Sequence, residues 1–248
     1  MEIWLDYLSN ISKRIKDLDK NKCDLPFFRG HNDSTWKLIP TIHRKYRNKN
    51  FLSLENELFF DFCLYCGPLY QRNLKSWDIL FEMRHAGIPT KLLDWTENFG
   101  SALYFALKDV DWKVNRNKRN PIKPCIWILN PYKLNKRISG EHEIKFVEEL
   151  QIEYHDTLDG KDFKGPLAIL SSREGLRVFS QKSLYTFHGN EKRSLEEAHP
   201  DIVTKHEIPL EALKHAQEFL SLAGINEYSL FPDLDGLGRH FKNVYNYK

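Results

Sequence analysis

His85-Ala86-Gly87-Ile88-Pro89-Thr90-Lys91-Leu92-Leu93-Asp94-Trp95-Thr96, running on into Ala102-Leu103-Tyr104-Phe105-Ala106, is the stretch on which the fold turns. Gly87 and Pro89 form a tight non-helical connection after the apolar run that ends near Met83, and the proline pushes Ile88 toward extended geometry, so a helix stops near His85. Leu92, Leu93 and Trp95 are too apolar for a solvated loop, and the spacing predicts a buried crossing whose polar members, Asp94 and Thr96, need partners inside the protein. A helix is expected to open near Thr96 or Glu97 and to bury Leu103, Phe105 and Ala106, which sets Asp94 close to a positive helix end.

Upstream, Trp4, Leu8, Ile11, Ile15 and Leu18 give residues 1–22 the pattern of an amphipathic helix that docks on its own domain. A strand is expected at Phe27-Phe28-Arg29, with Arg29 at its end; Asn32 to Thr35 is turn chemistry, and Trp36 to Pro40 reads as a short extended piece. Helices are expected at about residues 53 to 66 and 75 to 85. Residues 113 to 123 form a basic stretch without apolar periodicity and read as a solvated loop. Cys125 to Leu129 reads as a buried strand, and the alternation from Ser183 to Phe187 as another, with Gln181 at its entry. These elements predict an α+β fold: one domain with a small central sheet flanked by helices.

Composition bounds the function. The 248 residues, 41% of them hydrophobic, suffice for a full core. A net charge of +3 is too small to demand a nucleic-acid partner. No apolar run approaches the roughly 20 residues that span a membrane, and Met1-Glu2-Ile3-Trp4 is unlike a signal peptide, so the expected location is cytoplasmic and no membrane partner is expected. Cys63 and Cys66 fall on one helix face as small apolar residues, while Cys23 and Cys125 stand alone; no metal ligand set is expected. Asp233-x-Asp235-Gly236 lacks the further oxygen ligands of a calcium loop and reads as the start of a helix.

Two readings of the polar cluster stand open. In one, Asp94 and Thr96 cap a helix and brace Arg29 as an interior ion pair. In the other, Arg29, His85, Thr90 and Asp94 line one cleft and grip a ligand bearing phosphate or hydroxyl groups.

Phe27-Phe28-Arg29-Gly30 and the His85 to Thr96 stretch together resemble the FRG domain family, named for its Phe-Arg-Gly; Ala86 stands where the family has an aromatic residue. Arg177, Gln181 and Tyr185 match a further family pattern, with Ser183 in place of its glycine, and Gly224 to Leu237 is similar to the family's tail. The resemblance covers about residues 23 to 240 and marks 23–248 as the FRG domain. The order of elements also resembles the ADP-ribosyltransferase superfamily. That likeness implies an ADP-ribosyltransferase-like fold, NAD as cofactor, a protein or nucleic-acid acceptor, and the role of a toxin or antiphage effector. It implies that Arg29, followed by Gly30, engages the cofactor's phosphate or ribose, that Thr90 or Thr96 occupies the second motif, and that Gln181 stands where the superfamily has an acid. Glutamine cannot balance a cationic ribosyl centre, which leaves Asp94 to do so. The expected site is therefore Arg29, Asp94 and Gln181 for chemistry, and Arg29, Gly30, His85, Thr90, Thr96 and Tyr185 for the nucleotide. Two alternatives stand beside it: a non-catalytic nucleotide- or protein-binding module, and a metal-dependent nuclease using Asp94, Asp233 or His85.

Overall fold

The computed structural model describes residues 1–18, 25–45, 51–66, 75–116, 118–150, 153–154, 157, 165–171 and 180–245. Cys23 and Arg177 lie outside the described residues. The strands are β1 (Phe27–His31), β2 (Leu92–Thr96), β3 (Cys125–Leu129), β4 (Lys145–Phe146), β5 (Leu167–Leu170), β6 (Ser183–Phe187) and β7 (Val203–Glu207). The helices are α1 (Glu2–Leu18), α2 (Thr41–Lys45), α3 (Phe51–Cys66), α4 (Ser76–His85), α5 (Phe99–Leu107), α6 (Trp112–Arg116), α7 (Pro131–Ile138), α8 (Leu195–Ala198), α9 (Leu213–Leu222), α10 (Glu227–Leu230) and α11 (Leu234–Tyr245).

The seven strands of the described residues join one mixed sheet in the order β4-β5-β6-β2-β1-β3-β7, so the α+β architecture holds and the sheet is larger than the three strands expected. The additional central strand is β2. Its Leu-Leu-Asp-Trp-Thr sequence lacks alternation because both faces of a central strand are covered, and an apolar run of that length does not announce its geometry.

Paired residues share a face, and the two faces bury different sets. Phe28, Ile126 and Ile128 pack under α5, α1 and α9, with Trp4, Tyr7 and Ile11 of α1 seated in the same cluster. Phe27, Leu93, Trp95, Trp127 and Leu129 pack on the opposite side with Leu38, Leu134 and Leu195. Phe59 of α3 and Trp77, Leu80 and Phe81 of α4 cover Leu92, Tyr185 and Phe187.

The local chemistry fixes how the chain enters and leaves β2. Ile88 N bonds to Met83 O at 2.9 Å across Gly87, whose φ is +80°, a glycine-terminated helix end that aims His85 and Arg84 from the last turn of α4. Beyond β2 the cap is not Thr96 or Glu97, as the sequence suggested, but Asn98. Its side chain accepts from the amides of Gly100 and Ser101 at 2.8 and 3.2 Å, which are free at the start of α5. The Asp94 carboxylate caps no helix amide among the described residues and answers to side chains instead.

Other expectations shift by local detail. Arg29 is the middle residue of β1 rather than its end. Residues 36–40 form no strand, and α2 follows them. The basic stretch opens with α6, where the Asp111 carboxylate caps the amides of Lys113 and Val114. Asp233 accepts from Gly236 N at 2.6 Å, so the run around it is the cap of α11.

Candidate functional site

The site arises where the sheet is incompletely zipped. Every residue of β1 pairs with β3 and every residue of β2 pairs with β6, yet β1 and β2 pair only at Phe28 and Thr96. From that point the two strands diverge, and a cavity of about 420 Å³ opens between them, closed by the end of α4 on one side and α5 on the other. That volume lies in the range of small-molecule sites.

Gly30 makes the close wall. A Cβ at position 30 would lie 1.9 Å from the Ala102 carbonyl oxygen and 2.6 Å from Ala106 N, so β1 rides directly on the small-residue ridge of α5 and no side chain fits between them. The Phe-Arg-Gly run thus has a mechanical basis: Phe28 anchors one face, Gly30 lets the helix approach, and Arg29 between them is presented toward the split.

Arg29 donates from Nη1 to the main-chain oxygen of Asp94 at 2.6 Å and from Nε to His31 Nε2 at 2.9 Å. Its Nη1 is 3.6 Å from the Asp94 carboxylate. Nη2 has no protein partner among the described residues, although the group is buried enough that desolvation pushes its pKa down to about 10, against the upward pull of Asp94 and with further lowering by Arg84 and Arg44. His31 is pushed down to about 3 by burial and then by Arg29, so its ring is neutral and accepts at only one of the nitrogens that Arg29 Nε and Trp127 Nε1 approach.

Asp94 belongs first to Arg84. Nε of Arg84 lies 3.1 and 2.9 Å from the two carboxylate oxygens, and Nη2 closes a second contact, the fork geometry suited to guanidinium and carboxylate. Burial works to raise the Asp94 pKa, but Arg84, Arg29 and His85 outweigh it and hold the acid below its usual range. Arg84 is raised, by Asp94 above all. Arg84 was not among the sequence-derived candidates. The signal for it was that Asp94 required a partner and that a cation stood in the last turn of the helix preceding the motif.

The remaining candidates divide. His85 Nε2 is 3.0 Å from the phenol of Tyr185, a buried residue packed on Phe81, and both line the cavity. Thr96 and Gln181 also reach its wall, but as braces: Thr96 Oγ1 donates to Gln181 O at 2.7 Å and accepts from Asn98 N at 3.0 Å, while Gln181 Nε2 donates to Leu230 O at 3.0 Å. Thr90 does not reach the cavity. It is 1% exposed, and its hydroxyl accepts from Leu92 N at 3.3 Å, so it shapes the entry to β2. Ser183 follows a strained residue: Lys182 has φ of +47°.

Among the described residues four cations line the cavity, Arg29, Arg44, Arg84 and Lys108, against one carboxylate, that of Asp94. The aromatic part of the wall includes Trp36 and Phe105. Such a site attracts anions and offers flat apolar surface beside them. No cysteine is among the lining residues, and burial pushes the Cys125 thiol up to about 12 and raises that of Cys63. Among the described residues no group of three or more His, Cys, Asp or Glu is placed to hold a metal ion, and no helix is long and apolar enough to cross a membrane.

No curated protein and no solved structure matches the chain. Residues 25–114 do match the model of a family, and that segment contributes β1, β2, the walls formed by α4 and α5, and with them Arg29, Arg84, His85 and Asp94, whereas Gln181 and Tyr185 come from beyond it. That segment, which supplies most of the cleft wall, matches the FRG domain.

Proposed function

We propose that the cleft between β1 and β2 binds a phosphorylated nucleotide, with NAD as the ligand and an ADP-ribosyltransferase-like effector, toxin or antiphage, as the role. The observation that carries the reading is Arg29: a desolvated guanidinium with one amine free of protein partners among the described residues, in a cavity whose one lining acid is already held by Arg84. A guanidinium kept only to neutralise Asp94 would take the carboxylate head-on; here Arg84 does that, and Arg29 is oriented by a carbonyl and a neutral histidine.

If the cleft turns NAD over, Asp94 is the residue that faces the developing positive charge at the ribose, and Arg29 holds the adjoining phosphate. Tyr185 and His85 then form the polar end of the wall, with the histidine able to exchange a proton with the phenol across their 3.0 Å contact. A second reading, a nucleotide-binding module without turnover, is favoured by a specific observation. Two of the three groups nominated for chemistry are committed, Asp94 to Arg84 and Gln181 to the Leu230 carbonyl.

Calorimetric titration of the full chain with NAD, followed by assay of nicotinamide release in the presence of cell extract, separates these readings. Binding with release supports the transferase. Binding without release supports the module, and absence of binding removes the NAD assignment.

A further inference from the structure

Arg29 and Arg84 share the one carboxylate of Asp94, which leaves one positive charge in excess there. Two further cations add to it. Arg44, in the last turn of α2, and Lys108, at the C-terminal end of α5, both line the cavity, both are exposed, and neither has an acidic partner among the described residues. The Arg44 charge is felt inside, where it lowers the pKa of both Arg29 and His31. An uncompensated cation that destabilises a neighbouring cation is costly unless an anion enters. Two such cations, delivered from elements far apart in the chain, converge on one opening.

Trp36 lines the cavity with them. Its side chain is 48% exposed, which is unusual for an indole in a chain that buries Trp4, Trp77, Trp95 and Trp127. It lines the same cavity, and its ring is positioned against His31 at 5.9 Å, a contact that leaves much of the indole surface open. An exposed indole beside two unpaired cations is suited to a flat heteroaromatic ring attached to phosphate.

We infer that the outer half of the cleft is a recognition site for the phosphate and base of a nucleotide, with Arg44 and Lys108 clamping phosphate oxygens and Trp36 stacking on the base. This rests on the nucleotide-binding reading above and deepens it: the ligand class is a nucleotide with at least two negative charges, and a nucleoside is excluded. Both cations are on the surface, so the fold does not depend on them.

The test titrates the full chain with ADP, adenosine and inorganic pyrophosphate, using the wild type and the variants Arg44→Gln, Lys108→Gln, Arg44→Gln/Lys108→Gln and Trp36→Ala, with thermal melting to verify folding. ADP should bind at least about tenfold more tightly than adenosine, and each cation variant should weaken ADP about tenfold, as expected for loss of one charge-assisted hydrogen bond. The salt dependence of ADP binding should fall in the double variant. Trp36→Ala should weaken ADP while leaving pyrophosphate unchanged. Equal binding of adenosine and ADP, wild-type ADP affinity in the folded double variant, or binding of none of the three probes would each overturn the inference. ADP binding that depends on Arg44 and Lys108, with no NAD binding, would support the clamp and remove NAD as the ligand. NAD binding that depends on Arg29 but not on Arg44 or Lys108 would do the reverse.

Discussion

Lys91 and Asp94 stand close together in the chain, and each charge meets an opposite one, but in different surroundings. Lys91 Nζ lies 2.6 Å from Glu55 Oε2, with the two side chains 1% and 0% exposed, sealed between α3 and the start of β2 beside the phenol of Tyr154. Asp94 and its two arginines are 35% and 20% exposed and border a cavity. The sealed pair is closed to any ligand and serves the fold. The open cluster has more cations than it needs to neutralise its acid, and that surplus points to a ligand. Interior charge alone does not mark a site; a surplus of one sign beside open volume does.

The sharpest way to break this contrast is at the sealed pair. Lys91→Ala leaves Glu55 buried without its cation and should cost about 3–5 kcal/mol in urea denaturation, whereas Lys91→Met with Glu55→Leu should fall within about 1 kcal/mol of the wild type or exceed it. Nucleotide affinity of the folded double variant should be unchanged. Altered affinity would mean that the two regions are coupled.

Gly30→Ala comes next. Its Cβ would meet backbone atoms of α5, which cannot step aside as a flexible side chain can, so a loss on the order of 3 kcal/mol is expected. A stable Gly30→Ala protein that had lost only ligand affinity would reassign this glycine from packing to binding.

Asp94→Asn should cost less, about 1–2 kcal/mol, because the cluster is partly solvated and Arg84 can turn to water. Since the folded pKa of Asp94 is depressed, its contribution is present above the carboxylate's unfolded value of about 4 and disappears as pH falls through the lower folded value. Chemical denaturation of Asp94→Asn at neutral and acid pH should show the difference from the wild type shrinking with acid.

The mildest effect near neutrality comes from buried histidines. Burial, reinforced by Arg29, holds His31 at about 3; burial, reinforced by Lys91, holds His43 at about 4; and burial, reinforced by His43, holds His188 at about 3. Each is depressed in the folded state, so the unfolded chain binds more protons below about pH 6.5, and stability should fall steadily from there toward pH 4. Between pH 7 and 8 these groups contribute no slope. A urea midpoint independent of pH from 7 to 4 would contradict the neutral, buried placement of these side chains.

Much of the frame was legible because it is written locally. Gly87 and Pro89 announce the end of α4, and the runs at Phe27, Ile126 and Leu184 announce β1, β3 and β6, which share one sheet. β2 was illegible as a strand because a central strand covered on both faces reads as any buried apolar segment. At the site, Arg29, His85 and Asp94 were legible from their motifs, and His31 could have been added from its spacing, since residues two apart in a strand share a face. Arg44, Lys108 and Trp36 had no local signature; they meet only because β1 and β2 part after Phe28 and Thr96, a tertiary event. Thr90 is not among the residues that line the cavity, and its sequence could not show this, because a threonine in a polar motif looks the same whether it faces a ligand or accepts from the amide two residues on.

Arg29→Gln tests the central claim most directly, through calorimetric titration of the folded variant with the nucleotide that the wild type binds. Because Arg84 remains to hold Asp94, the thermal midpoint should move only a few degrees, while affinity should fall about 10- to 100-fold, the effect of losing a charged hydrogen bond to an anion. A variant that melts far below the wild type, yet once folded in the cold binds the nucleotide as tightly, would show that Arg29 serves the fold as Lys91 does and that the open cluster is not a ligand site.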